Sequence, residues 1–250
     1  MLNNWDPTRI LKKKPFVCAM IGNRRSGKST TQSWLLQNIL NKDFDLYISF
    51  AGAISCSPET RDFFLSRGME DMMFDRLSVK FLKILMKQQE RHKVLGKRRQ
   101  VLLLLDDAEL TREDEMFLGV FCTRARHFDV SIIQCSVSYT LLKPNFRRSL
   151  DILFLFSMGM YSDRYLMLRE FSNNPKLSLY AMQELEQFQC LVQEKDHESK
   201  LFYFKVTQNT KDDSLDKTEN LADPLLANTV EESDLQGDSL PDLQSTVTVV

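Results

Sequence analysis

Short apolar runs recur along the chain, separated by stretches in which apolar residues return every three or four positions. Phe16 to Ile21, Phe44 to Phe50, Val101 to Leu105, Val130 to Val137 and Ile152 to Phe156 are each long enough for one strand. Val101 to Leu105 is apolar at every position, the pattern of a strand buried on both faces of a parallel sheet. Between these runs the period changes to that of a helix. In residues 30 to 40, Trp34, Leu35, Ile39 and Leu40 can share a face; in 76 to 97, Leu77, Phe81, Ile84 and Leu85 can; in 112 to 126, Met116, Val120 and Phe121 point inward. Ser57-Pro58-Glu59 has the form of a helix start, and Lys143-Pro144 that of a turn. Tyr161 to Phe171 and Ser178 to Phe188 read as two helices divided by Asn173-Asn174-Pro175. Gln189 to Val192 and Leu201 to Val206 read as a terminal antiparallel pair. The alternation predicts an α/β fold: a mainly parallel central sheet flanked by helices, with a short antiparallel C-terminal pair.

The first strand leads into chemistry. Gly22-x-x-x-x-Gly27-Lys28-Ser29 is the phosphate-binding loop pattern, placed between a strand and a helix as that chemistry requires. Glycines let the turn close so that successive N–H groups point at a phosphate, and the new helix adds its positive end. The nucleotide-binding residues are then Gly22, Asn23, Arg24, Arg25, Ser26, Gly27, Lys28, Ser29 and Thr30. Lys28 would reach the β- and γ-phosphates of ATP, and Ser29 would ligate Mg²⁺. Chance alone would produce the pattern in roughly one chain of this length in a hundred, and the flanking strand and helix lower that further. Downstream, four apolar residues and then Asp106-Asp107 form the Walker B pattern. Asp106 would hold Mg²⁺, and Asp107 would orient the attacking water. The competing reading is a strand that ends in a turn.

Composition bounds the rest. Cys18, Cys56, Cys122, Cys135 and Cys190 are scattered and without a C-x-x-C pair, which speaks against a disulfide framework or a zinc site and for a reducing compartment. No run of eighteen apolar residues exists, so no membrane span is expected, and the run at Phe16 is too short for a signal peptide core. Residues 209 to 250 hold two lysines against ten acids, a net of −8; since the whole chain carries −1, the other 208 residues carry +7. The chain then divides into an N-terminal arm (1–14), anchored at Trp5 with Lys12, Lys13 and Lys14 exposed, an ATPase domain (15–208) and an acidic disordered tail (209–250). The second half of the 76–97 helix turns basic, with Lys87, Arg91, His92, Lys93, Lys97, Arg98 and Arg99. It is either a solvated helix end or a contact for phosphate backbone.

Arg126-His127-Phe128-Asp129-Val130-Ser131-Ile132-Ile133, then Lys143-Pro144, Arg147 and Asp151-Ile152-Leu153-Phe154-Leu155-Phe156, resemble the genome-packaging ATPases of large and mid-sized eukaryotic DNA viruses, which belong to the FtsK–HerA superfamily. The resemblance runs from about residue 15 to 206. It implies a P-loop NTPase fold and a homo-oligomeric ring that hydrolyses ATP to push double-stranded DNA into a capsid. The implied partners are DNA and a capsid or portal protein, and the implied setting is the cytoplasmic viral factory, or the virion. It also implies that Arg147, after the proline, reaches a neighbour's γ-phosphate as an arginine finger, with Arg148 a second candidate; a surface arginine paired with Asp151 is the plainer reading. One position departs from the family, which places a γ-phosphate-sensing glutamine where this chain has Val137. Gln134, three residues earlier, would face the other way in a regular strand, so the sensor is lost or replaced by Ser136 or Ser138. Two further readings stay open: a non-hydrolysing nucleotide switch or assembly scaffold, and a small-molecule kinase, for which no acceptor pocket or arginine lid is identifiable.

Overall fold

The computed structural model describes residues 2–51, 56–106, 108, 110–159, 161–171, 175–195 and 201–206. Residues 1–208 form one compact unit, and the tail at 209–250 lies outside the described residues. Eight strands make one sheet: β1 (Val17–Ile21), β2 (Leu46–Ala51), β3 (Met73–Phe74), β4 (Val101–Asp106), β5 (Val130–Ser136), β6 (Ile152–Leu155), β7 (Gln189–Glu194) and β8 (Leu201–Lys205). Their spatial order is β3-β2-β4-β5-β1-β6-β7-β8; the first six are parallel, β7 is antiparallel to β6, and β8 is antiparallel to β7. Parallel neighbours need crossovers, and helices supply them: α1 (Lys28–Asn38), α2 (Pro58–Leu65), α3 (Val79–Val94), α4 (Arg112–Arg124) and α5 (Pro144–Ser149). After β6 come α6 (Tyr161–Phe171) and α7 (Pro175–Gln183), before β7.

Helices cover both faces, so the central strands are buried at every position, as in β1 and β4. Side chains alternate between two cores. Val101, Leu103 and Leu105 of β4 join a cluster with α3, α4, α6 and α7. Leu102 and Leu104 join a second cluster with Leu35 and Leu36 of α1 and Phe63 and Phe64 of α2.

Several expectations about helices are corrected. On α4, Met116 is 60% and Val120 44% exposed, while Leu118, Phe121 and Cys122 are buried. Gly119 explains the rotation. A Cβ there would sit 3.3 Å from Asn145 Cβ, so α5 lies directly on the bare backbone of α4. Helix α5 itself replaces the predicted turn, with Pro144 in its first turn, where proline's fixed φ is tolerated. The edge strand β3 has only two residues, too few for a periodic signal. Helix α1 buries Thr31, Gln32 and Ser33 beside Leu35 and Leu36, while Trp34 and Ile39 are half-buried. Its inner face is held by polar contacts: Ser33 Oγ meets Ser57 Oγ at 2.9 Å and Thr60 Oγ1 at 2.8 Å, and Cys135 Sγ donates to Gln32 Oε1 at 2.9 Å.

The N-terminal segment packs on the sheet through Trp5. Trp5 is 3% exposed, edge-on to Phe154 at 5.0 Å and Phe204 at 5.5 Å. Its Nε1 donates to Glu194 Oε1 at 2.7 Å, and Arg9 donates to both Glu194 oxygens at 2.7 and 2.6 Å. Of the lysine triplet only Lys12 is exposed. Lys13 approaches Glu194 at 3.8 Å, and Lys14 donates to the Asp43 carbonyl at 2.5 Å. Burial alone would raise the Glu194 carboxyl; bonds from Arg9 and Trp5 and the charges of Arg9 and Lys13 outweigh it and hold it below the usual glutamate range. Glu194→Gln should therefore lower unfolding free energy by about 2–4 kcal/mol at neutral pH. A depressed carboxyl stabilises above its unfolded pKa, and that contribution is lost as pH falls through the folded one. Urea unfolding of both proteins should show the gap closing as pH drops below the usual glutamate range.

Candidate nucleotide-binding site

The phosphate loop leaves the C-terminal end of β1 in the middle of the sheet and re-enters as α1. Gly22 N–H donates to Ser136 O at 3.2 Å and Asn23 N–H to Ser157 O at 2.9 Å, so the ends of β5 and β6 clamp the loop's first residues. Asn23 Oδ1 accepts from Gly159 N at 3.0 Å, a further tie to the segment after β6. Gly22 has no room for a side chain, since a Cβ would come within 2.5 Å of Phe156 Cβ. Gly27 has φ 104°, open to glycine and closed to other residues, and it forms the N-cap of α1.

Lys28 is 7% exposed, and its Nζ donates to Gly22 O and Asn23 O, both at 2.8 Å, which draws the ammonium over the mouth of its own loop. Arg24 and Arg25 are exposed, and Arg25 adopts a left-handed φ of 61°. Ser26 is half-buried, and its hydroxyl is among the buried polar atoms with no partner. Ser29 and Thr30 are half-buried in the first turn of α1.

Asp106 ends β4 at 6% exposure. It follows Leu102 and Leu104 at the two-residue period, so it faces α1. In register it lies beside Cys135 of β5, which in turn pairs with Met20 of β1 and bonds to Gln32 of α1. Strand β5 thus stands between the phosphate loop and Asp106. Lys28, Ser29 and Asp106 share the α1 side of the sheet at its C-terminal edge, the place where open α/β sheets bind ligands. Asp107 lies outside the described residues.

Gln134 follows Ile132 on the opposite, α4-facing side, and its Oε1 is buried without a partner. Strand β5 ends at Ser136, and Val137 lies in the bend that follows. Gln134 and Val137 therefore line one cavity of about 230 Å³ together with Glu115 and Leu141, rather than facing apart as strict alternation predicts. Ser136 and Ser138 are engaged locally: Ser136 Oγ donates to Ser138 O at 2.9 Å, and Ser138 Oγ to Asp163.

Arg147 is not brought to its own chain's phosphate loop. It sits on α5, five residues before the N-terminal end of β6, whereas the loop leaves the C-terminal end of β1. Its guanidinium lies 4.9 Å over the Tyr139 ring, 3.7 Å from Glu170 Oε1, and only 15% exposed. Asp151 is taken instead by Arg126 and by Val17 N–H at 2.9 Å, which corrects the expected Arg147–Asp151 pair. Burial, the hydrogen bond to Glu170 and its charge push the Tyr139 phenol well up, so it stays a neutral donor to that carboxylate. Arg148 is exposed.

The turn between α7 and β7 also belongs to the site, and the sequence pattern does not reveal it. Gln187 Nε2 donates to Arg25 O at 3.4 Å, and Phe188, with φ 64°, lies 3.0 Å from where a Gly27 Cβ would be. No local signal links residue 188 to residue 27.

This arrangement defines a P-loop NTPase fold: mixed but mostly parallel, with an antiparallel pair at the C-terminal edge. Among solved structures it is shared by the DNA-packaging ATPase B204 of Sulfolobus Turreted Icosahedral Virus, at TM-score 0.58 and 17% identity over 77% of this chain and 98% of that one. The genome packaging NTPase B204 of Sulfolobus turreted icosahedral virus 2, in complex with ATP-gammaS, matches at TM-score 0.56 and 14% identity over 80% and 98%. The cytoplasmic domain of the Thermomonospora curvata Type VII secretion ATPase EccC matches at TM-score 0.55 and 11% identity over 79% of this chain and 24% of that one. At these identities the likeness is one of fold. No family model and no curated protein matches the chain.

Gly22→Ala should test the clamp. Overpacking against Phe156 is expected to cost about 1–3 kcal/mol in urea unfolding and to displace the loop, so nucleotide affinity measured by calorimetry should fall further than the same affinity in an equally destabilised variant remote from the loop.

Proposed function

We propose that this chain is an ATP-hydrolysing motor of the FtsK–HerA type that moves double-stranded DNA into a viral capsid. The observation that carries the reading is the set of Lys28, Ser29 and Asp106 on one side of the sheet at the phosphate-loop edge. The resemblance in the 126–156 segment and the fold shared with B204 support it.

In this reading the N–H groups of residues 22 to 29 cradle the phosphates. Lys28 leaves the Gly22 and Asn23 carbonyls for the β- and γ-phosphate oxygens. Ser29 and Asp106 would hold Mg²⁺, which when bound offsets charge on the phosphates. Their chemistry fits a hard cation: an alcohol and a carboxylate, both oxygen donors. Among the described residues no group of three or more His, Cys, Asp or Glu forms an all-protein cage, so the phosphates would complete the shell. Asp107 orients the attacking water. Subunits assemble as a homo-oligomeric ring, in which Arg147 leaves Glu170 and reaches the neighbour's γ-phosphate. A capsid or portal protein is the docking partner, and the viral factory or virion is the setting.

The second reading is a non-hydrolysing nucleotide switch or scaffold. It is favoured by the apolar Val137 at the position of the family's glutamine.

Steady-state ATPase assays with and without duplex DNA separate the two. Turnover that rises with duplex supports the motor, and binding without turnover supports the switch. Lys28→Ala should reduce turnover to background with the melting temperature little changed; unchanged turnover in a folded variant rules out the enzyme.

Arg147→Ala should keep nucleotide affinity and lower turnover by roughly 10³-fold or more if it is a finger. Mixing it with Lys28→Ala should restore part of the activity, because some interfaces then pair an intact loop with an intact finger. Co-assembled mixtures that stay inactive would show that Arg147 does not act in trans.

A further inference from the structure

The basic half of α3 is unused by the nucleotide site. It ends at Val94, turns at Gly96 with φ 70°, and returns into β4. Because β4 runs parallel to β1, this turn lies at the N-terminal edge of the sheet, away from the phosphate loop. Lys87, Arg91, Lys93, Lys97 and Arg98 are exposed and Arg99 half-exposed, against a single acid, Glu90, in the same stretch.

Other cations near this edge are neutralised: Lys14 by Asp43, Arg126 by Asp151, Arg9 by Glu194. None of the six in the turn is in an ion pair among the described residues. The neighbouring acids Asp45 and Asp129 instead bind Gln100 at the turn's root. Helix-end electrostatics explain only part of the cluster. The dipole of α3 amounts to about half a charge felt within its last turn, whereas Lys97, Arg98 and Arg99 lie beyond the helix.

The base is rigid. Gln89, buried, donates through Nε2 to Arg99 O at 2.8 Å and Phe128 O at 2.7 Å, which ties both ends of the turn to the body. His92, inside the cluster, is pushed to lower pKa by burial and then by the charges of Arg99, Arg91 and Lys97.

We propose that this turn is a docking surface for the phosphate backbone of duplex DNA. Six clustered cations with no ion-pair partner among the described residues, on a turn tied to the body through Gln89, suit the phosphates of a duplex, whose contact releases counterions. The proposal rests on the DNA-motor reading and adds to it a contact on the edge opposite the nucleotide site. Val94, 86% exposed, and Leu95, 59% exposed, cap the turn; an anionic membrane would need them, whereas backbone contact does not.

The test is anisotropy of a labelled duplex titrated with the full chain across a range of salt. Lys93→Gln/Lys97→Gln/Arg98→Gln should weaken binding roughly tenfold or more at about 0.1 M salt and make the log–log salt slope shallower by about 2.7, or 0.9 per lost phosphate contact. Basal ATPase and melting temperature should not move. Val94→Ser/Leu95→Ser should leave duplex binding unchanged.

A triple variant that binds duplex as the parent does, with the same slope, overturns this surface and leaves the motor reading standing. A parent chain that binds no duplex at any salt overturns both. Binding to phosphatidylserine vesicles that is lost in the Val94/Leu95 variant, with duplex binding insensitive to the triple variant, would make the turn a membrane contact instead.

Discussion

Everything at the site depends on β1 being bonded along both edges. Its partners β5 and β6 satisfy its backbone up to its last residue, and two bonds lie just beyond: Gly22 N–H reaches Ser136 O, and Phe156 N–H reaches Ile21 O at 2.8 Å. A buried strand cannot leave these groups unpaired, so the chain must turn out of the sheet where its neighbours still hold it. That fixes where the loop begins, and the 2.5 Å clearance to Phe156 Cβ explains why glycine stands there. The strand order then sets β5 between the loop and Asp106, which puts any group at the end of β5 beside both.

The two faces of the sheet do different work. The α4 side is a largely apolar core closed over β4 and β5. The α1 side beneath the site is partly polar. Ser33 bonds to Ser57 and Thr60, and Cys135 to Gln32, so α1 is positioned by directional contacts as well as by the apolar packing of Leu35 and Leu36. Hydrogen bonds fix orientation more narrowly than apolar contact does, which suits the proposed role of α1, whose first turn would present N–H groups, Lys28 and Ser29 to one point.

Arg147 is held by residues far along its own chain. Within one chain it is an interior cation, sheltered by Tyr139 and opposed by Glu170. In the proposed finger role it would exchange those contacts for a neighbour's phosphate; the raised Tyr139 phenol, which stays neutral, gives Glu170 a hydrogen-bond partner that does not depend on the arginine.

Seven of the eight strands, the strand–loop–helix run from Val17 to Asn38 and the acid that ends β4 were legible in the sequence because they depend on local order: an unbroken apolar run, a glycine spacing, an acid at a strand's end. The antiparallel pair was legible for the same reason. Helix facing was not. Periodicity put Met116 and Val120 inside, and the bare backbone at Gly119 turned them out by admitting α5. Nor could alternation place Val137, since it holds only while a strand continues and β5 stops at Ser136. The Trp5–Glu194 clasp, the Arg147–Glu170 pair and the closure of Phe188 on Gly27 join residues far apart in the chain. Such contacts are chosen by which surfaces the sheet order brings together, a choice made by packing the whole chain and written in no single stretch of it.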